Sequence, residues 1–98
     1  MSEKVPTIEI RLTPEFQTKF KALKKRYRNI QSDIKSIFEQ LENGLVLGDQ
    51  FSEIDAFVVK VRAKNSDAKR GKSGGYRLIY WIASPTLIIM LDIYSKSD

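Results

Sequence analysis

FVVKVRAKNSDAKRGKSGGYRLIYWIASPTLIIMLDIY, from Phe57 to Tyr94, carries the reading of the fold. Its period is two. Phe57, Val59 and Val61 are expected on one side of an extended chain, with Val58, Lys60 and Arg62 on the other. After the cationic, glycine-bearing stretch from Lys64 to Gly75, Tyr76, Leu78, Tyr80 and Ile82 share one face, and Arg77, Ile79 and Trp81 share the opposite one. Ala83-Ser84-Pro85 gives a turn. Thr86 to Tyr94 then forms a last strand, with Leu87, Ile89, Leu91 and Ile93 expected inward and Ile88, Met90, Asp92 and Tyr94 outward. Strands that follow one another through a short turn or a glycine-rich loop favour an antiparallel meander.

Upstream the period changes. Val5 to Leu12 alternates loosely and is β-branched, as a first strand would be. Thr13-Pro14-Glu15 supplies a helix start: an N-cap threonine, proline at the first helical position and an acid in the first turn. Phe16, Phe20, Leu23 and Tyr27 then fall on one helical stripe. A break at Arg28-Asn29 separates this helix from a second, starting near Ser32, whose stripe is Ile34, Ile37, Phe38 and Leu41 and whose stop is Asn43-Gly44. Leu45 to Asp55 reads as a connector. The expected order is strand, helix, helix, strand, strand, strand over one domain, residues 1–98. This is an α+β, two-layer fold in which the first strand and a helical hairpin pack on a mainly antiparallel sheet, the first strand lying at an edge or beside the last.

Composition narrows the function. The 98 residues suffice for one domain, and 42% hydrophobic with 30% charged residues is an ordinary globular mixture. The longest apolar run, Thr86 to Leu91, is far short of the roughly 20 residues of a membrane-spanning helix. The polar MSEKVPTIEI start does not read as a signal peptide, so a cytoplasmic location and no membrane partner are expected. There is no cysteine, which fits a reducing compartment, and no histidine. Catalysis would therefore fall to lysine, arginine, tyrosine or carboxylates, and no spacing suggests a metal site or a cofactor.

The net charge of +5 conceals segregation. Lys19 to Arg28 holds six basic residues and no acid, and Lys60 to Arg77 holds seven against Asp67 alone. Two cationic patches on a chain otherwise acidic match an electrostatic footprint for a polyanion, and equally match two solvated faces kept cationic for solubility. Alternation adds a geometric point. Lys60, Arg62, Arg77 and Tyr94 leave the sheet on the side away from the helices, with Asp92, Lys96, Trp81 and Met90 nearby and the Lys64–Gly75 loop overhanging. Fixed cations with aromatics between them suit a phosphodiester and a stacked base. Arg77 also reads as one half of a cross-strand ion pair with Asp92, and Trp81, Tyr76 and Tyr80 also read as core aromatics. Gly71, Gly74 and Gly75 lack the GxxxxGK[ST] pattern and also read as turn residues.

VVKVRAKNSDAKRGKSGGYRLIYW, Val58 to Trp81, followed by LIIMLDIYSKSD, Leu87 to Asp98, resembles the C-terminal half of toxins of the RelE/ParE superfamily from bacterial type II toxin–antitoxin modules. The likeness is to the RelE- and HigB-like branch, where a KxR strand, a GKxGGYR-hydrophobic-IY strand and an IYxK ending recur. The resemblance implies a metal-independent messenger-RNA endoribonuclease, often ribosome-associated, that works without a cofactor and is neutralised by a cognate acidic antitoxin. In such enzymes the ribose 2′-hydroxyl attacks the adjacent phosphate. Carried over by position, Lys60 is the base or phosphate binder, Arg77 holds the scissile phosphate, and Lys96 stabilises the transition state or leaving group. Tyr94 is the fourth catalytic candidate, although the family's catalytic tyrosine lies further along the chain. Arg62, Lys64, Lys69, Arg70, Lys72 and Trp81 are the RNA-binding candidates. The alternative is a non-catalytic or gyrase-directed, ParE-like relative that acts by binding protein.

Overall fold

Thr13 starts the helical part of the chain. In the computed structural model, which describes residues 8–44, 49–51, 55–67 and 75–96, its backbone is extended (φ −70°, ψ 158°) and its hydroxyl accepts the Phe16 N–H at 3.1 Å. Pro14 takes the next position, where a missing N–H costs nothing. Helix α1 (Pro14–Arg26) buries Phe16 and Leu23 and half-buries Phe20; Tyr27, its C-cap, is half-buried too. Lys24, Lys25 and Arg26 close its last turn, where the partial negative charge of the helix end favours cations.

Helix α2 (Ile30–Glu42) begins ahead of the expected Ser32. Asn29 is the residue held at its start: Asp67 accepts both the Asn29 backbone N–H, at 2.8 Å, and its side-chain amide, at 3.0 Å. Ile30 thereby joins Ile34, Ile37 and Leu41 in the core. Gly44 ends the hairpin with φ +88°, a conformation that disfavours any side chain. Phe16 and Phe38 bridge the two helices with ring centroids 6.5 Å apart. No helix among the described residues is long and apolar enough to cross a membrane.

The sheet comprises β1 (Glu9–Leu12), β2 (Asp49–Phe51), β3 (Asp55–Ala63), β4 (Tyr76–Ser84) and β5 (Leu87–Ser95), in the spatial order β1-β5-β4-β3-β2. β1 runs parallel to β5 at one edge, and every other pairing is antiparallel. The α+β order expected from sequence is present with one addition. β2 lies inside the stretch read as a connector and pairs with β3, Asp49 standing opposite Lys60. Val5 to Thr7, the expected start of the first strand, lie outside the described residues.

One face of the sheet packs on the helices. Val59, Val61 and Ala63 of β3, Tyr76, Leu78 and Tyr80 of β4, and Ile88, Met90 and Ile93 of β5 are buried there with the helical stripes. Burying a side chain of this kind stabilises the fold by about 1.5–3 kcal/mol. Two expectations change. Phe57, expected inward, is 57% exposed, and it lies one residue beyond the β3–β4 register, which starts at Val58↔Trp81. In β5 the first half is out of phase with expectation: Ile88 and Met90 face the core, while Leu87 and Ile89 are only half-buried. A bulge explains this. Tyr80 pairs with Met90 but Ile79 pairs with Asp92, leaving Leu91 as the extra residue. The slip restores Ile93 to the core opposite Leu78 and keeps Asp92 out of it.

Candidate functional site

The β3–β4 ladder is regular from Val58↔Trp81 to Ala63↔Tyr76. Alternation along β4 therefore holds from Tyr76 to Trp81, ahead of an irregularity between Ile82 and Ser84, and the face turned away from the helices is built in rows across three strands. Arg62, Arg77 and Tyr94 form the first row. Lys60, Ile79 and Asp92 form the second, and Val58, Trp81 and Ile89 the third. Side chains directly opposite each other in such a ladder are close neighbours. Lys64 and Lys96 are exposed and lie just past the first row, where β3 and β5 end.

Burial differs sharply along the first row. Arg62 is exposed and Tyr94 half-buried, but Arg77 is only 6% exposed, and its Nη1 donates to the Tyr76 carbonyl at 3.4 Å. A guanidinium so buried acts through a lower effective dielectric than one in water. Arg77 is thus a fixed cation beneath the surface, while Arg62 and the half-buried Lys60 carry the reachable charge.

Asp92 does not sit against Arg77. The register puts it opposite Ile79, and its Oδ1 accepts from Lys19 Nζ of α1 at 2.7 Å and from the Ile93 N–H at 2.8 Å. The hydrogen bond to Asp92 holds the Lys19 ammonium above its ordinary value. The cross-strand Arg77–Asp92 pair expected from phase alone is replaced by a pair between sheet and helix. Met90 is likewise not on this face, being wholly buried among the core residues. Tyr76 and Tyr80 are core aromatics, and Tyr76 meets Tyr27 edge-on with centroids 5.8 Å apart. Trp81 is 38% exposed.

Lys69, Arg70 and Lys72 lie outside the described residues, as do Gly71 and Gly74. The two ends of the stretch that contains them are firmly held. At the leading end, Asn65 Oδ1 accepts the Asp67 N–H at 3.0 Å, and Asp33 of α2 accepts both the backbone N–H and the hydroxyl of Ser66, at 2.9 and 3.0 Å. At the trailing end, the Gly75 carbonyl accepts the Lys96 N–H at 2.8 Å. A Cβ on Gly75 would collide with the Ala63 carbonyl oxygen and come within 3.1 Å of the Asn65 nitrogen. Asp67, the acid among the loop's bases, and Asp33 are therefore anchoring residues that sequence reading missed. The local signal was Asn-Ser-Asp, a run suited to side-chain-capped turns, but its partner on α2 is set by the tertiary fold.

A second surface lies on the helical layer. A groove of about 720 Å³ opens between α1 and α2, walled by Leu12, Phe16, Phe20, Ile34 and Phe38, with Arg28 and Lys35 also lining it. No cluster of His, Cys, Asp or Glu that could hold a metal occurs among the described residues. Comparison with protein-family models, with curated proteins and with solved structures gives no match to the chain.

Proposed function

We propose that the protein is a metal-independent endoribonuclease that cuts single-stranded messenger RNA, the toxin of a type II toxin–antitoxin pair working in the cytoplasm, on or near the ribosome. The observation that carries this reading is the row Arg62–Arg77–Tyr94, flanked by Lys60, on the sheet face opposite the helical layer, where Arg62 is exposed, Tyr94 half-buried and Arg77 buried between them. Cations held by a sheet need little reorganisation when charge builds up on a phosphate. In the reaction the 2′-oxygen forms a bond to phosphorus as its proton departs. The bond from phosphorus to the 5′-oxygen breaks, and that oxygen takes up a proton. A 2′,3′-cyclic phosphate and a 5′-hydroxyl result. Lys60 serves as the base or phosphate binder, Arg77 and Arg62 offset the growing charge, and Lys96 and Tyr94 are the candidates to protonate the leaving oxygen.

The test is cleavage of an unstructured RNA in the presence of a chelator, with end-group analysis of the products. Lys60→Ala is expected to slow cleavage by about 10²–10⁴-fold, the range for a lost proton-transfer group, while RNA affinity falls far less. Lys24→Ala on α1 should leave the rate at saturating RNA unchanged. Equal, small losses in both variants would leave only a cationic surface.

The groove between the helices favours a second reading, in which the chain acts through protein binding as a non-catalytic or gyrase-directed relative. The groove's apolar walls and the basic α1 beside it suit an acidic amphipathic segment, the chemistry of the antitoxin in either reading. An intact RNA after prolonged incubation, together with a stable complex with an acidic partner, selects the second.

A further inference from the structure

Beyond the charged rows, the same sheet face changes character. Trp81 occupies the centre of the third row with Val58 and Ile89 at its sides, both half-buried, and no charged residue stands in that row on β3, β4 or β5. Trp81 lies four steps along the strand from Arg77, about 13 Å at about 3.3 Å per residue. Stacked nucleotides rise about 3.4 Å each, so no more than about four of them span that distance, and fewer when the strand is extended. Aromatic side chains next to a backbone-tracking cationic surface bind single strands because every base has a π-face.

We propose that Trp81 is the floor of a base-binding subsite. It takes an unpaired nucleobase of the RNA strand whose phosphate lies on the Arg62–Arg77 row, within about four nucleotides of that phosphate. Val58 and Ile89 hold the indole in place, and the half-buried Ile79 fills the row between the indole and the phosphate. The proposal rests on the RNA reading above and narrows it: the substrate must present splayed bases, since the bases of a duplex are paired and stacked out of reach. Position along the strand would then be set by which base prefers the indole, so Trp81 is a residue of specificity rather than of chemistry.

Trp81 is the single tryptophan of the chain, so its emission reports on this row alone. The experiment titrates the intact protein with an end-labelled RNA of about five nucleotides, long enough to cover the span, following label anisotropy and tryptophan emission together. Both signals are expected to saturate at the same RNA concentration. Trp81→Ala should weaken binding by about 5- to 150-fold, the loss of one stacked base, and Trp81→Phe should recover part of it. Moving a single abasic residue along the RNA should abolish the emission change at one position only. Anisotropy that saturates with unchanged emission, and an unchanged affinity in a folded Trp81→Ala protein, would falsify the subsite while leaving the phosphate row standing. No anisotropy change at all would remove the RNA reading and the subsite with it. An emission change that depends on protein concentration without RNA would assign the patch to self-association and overturn the proposal.

Discussion

Gly75 shows how much one residue can decide. Glycine-to-alanine changes at unstrained positions often stabilise a protein, by about 0.4–1 kcal/mol through the unfolded chain. Here the added methyl would meet backbone atoms of Ala63 and Asn65 rather than a side-chain end that could swing away. Gly75→Ala is therefore expected to destabilise, by about 1–3 kcal/mol or more, as read from the midpoint of chemical denaturation. A rise in stability would show that the close approach is not maintained in solution. The face shared by Lys60, Arg62, Arg77 and Tyr94 was legible in the sequence, because alternation alone assigns it. The partner of Asp92 was not. Lys19 lies 73 residues away on a different element, and only the packing of α1 across β5 brings the two together. The depth of Arg77 was illegible for the same reason: phase gives a side, and burial depends on what covers that side.

β5 marks the limit of periodicity as evidence. Leu87 to Leu91 is apolar at every position, so either phase satisfies the pattern, and the choice falls to β4 and to the parallel neighbour β1. The polar positions of the strand, Asp92 and Tyr94, do carry phase information, and there the expected sides are the observed ones. Leu91 reconciles the two halves by standing outside the ladder. A consequence can be tested by deletion. Removing Leu91 brings the pairs on either side of it, Met90 with Tyr80 and Asp92 with Ile79, into consecutive register, at the cost of the Leu91 carbonyl that accepts the Thr13 hydroxyl. Removing Ile79 from β4 instead throws half of that strand onto the wrong face against both neighbours. The Leu91 deletion is expected to keep a cooperative thermal transition by circular dichroism, at a lowered midpoint, and the Ile79 deletion to lose it. Two equally disrupted proteins would mean that the bulge is required and not merely accommodated. The outer ends of the helical hairpin needed no such arbitration, since Thr13-Pro14 and Asn43-Gly44 mark a start and a stop by local chemistry. The start of α2, expected near Ser32, moves instead to Ile30 beside an Asn29 held by Asp67. β2 was missed because three residues are too few to show a period.

The molecule as a whole divides its surfaces by layer. The helical layer carries the basic α1 and the apolar groove, and the far face of the sheet carries the cationic rows and Trp81. β5 belongs to both: it supplies Ile88, Met90 and Ile93 to the core and Tyr94 to the candidate site. A chain cut after Ser84 is thus expected to lose cooperative unfolding, and with it the RNA cleavage that the proposed function predicts, whereas a retained thermal transition would contradict the central place given to β5. The parallel pairing of β1 with β5 has a further meaning in time. Thr13 hydrogen-bonds the Leu91 carbonyl across 78 residues of sequence, and at about 5–20 residues per second a ribosome makes Leu91 roughly 4–16 s after Thr13. For that interval the opening strand has no neighbour to pair with. Assembly of the core, and of the row that ends in Tyr94, must wait for the last strand to emerge. Translation itself then acts as a delay timer: no part of the chain made before β5 can complete the row that ends in Tyr94.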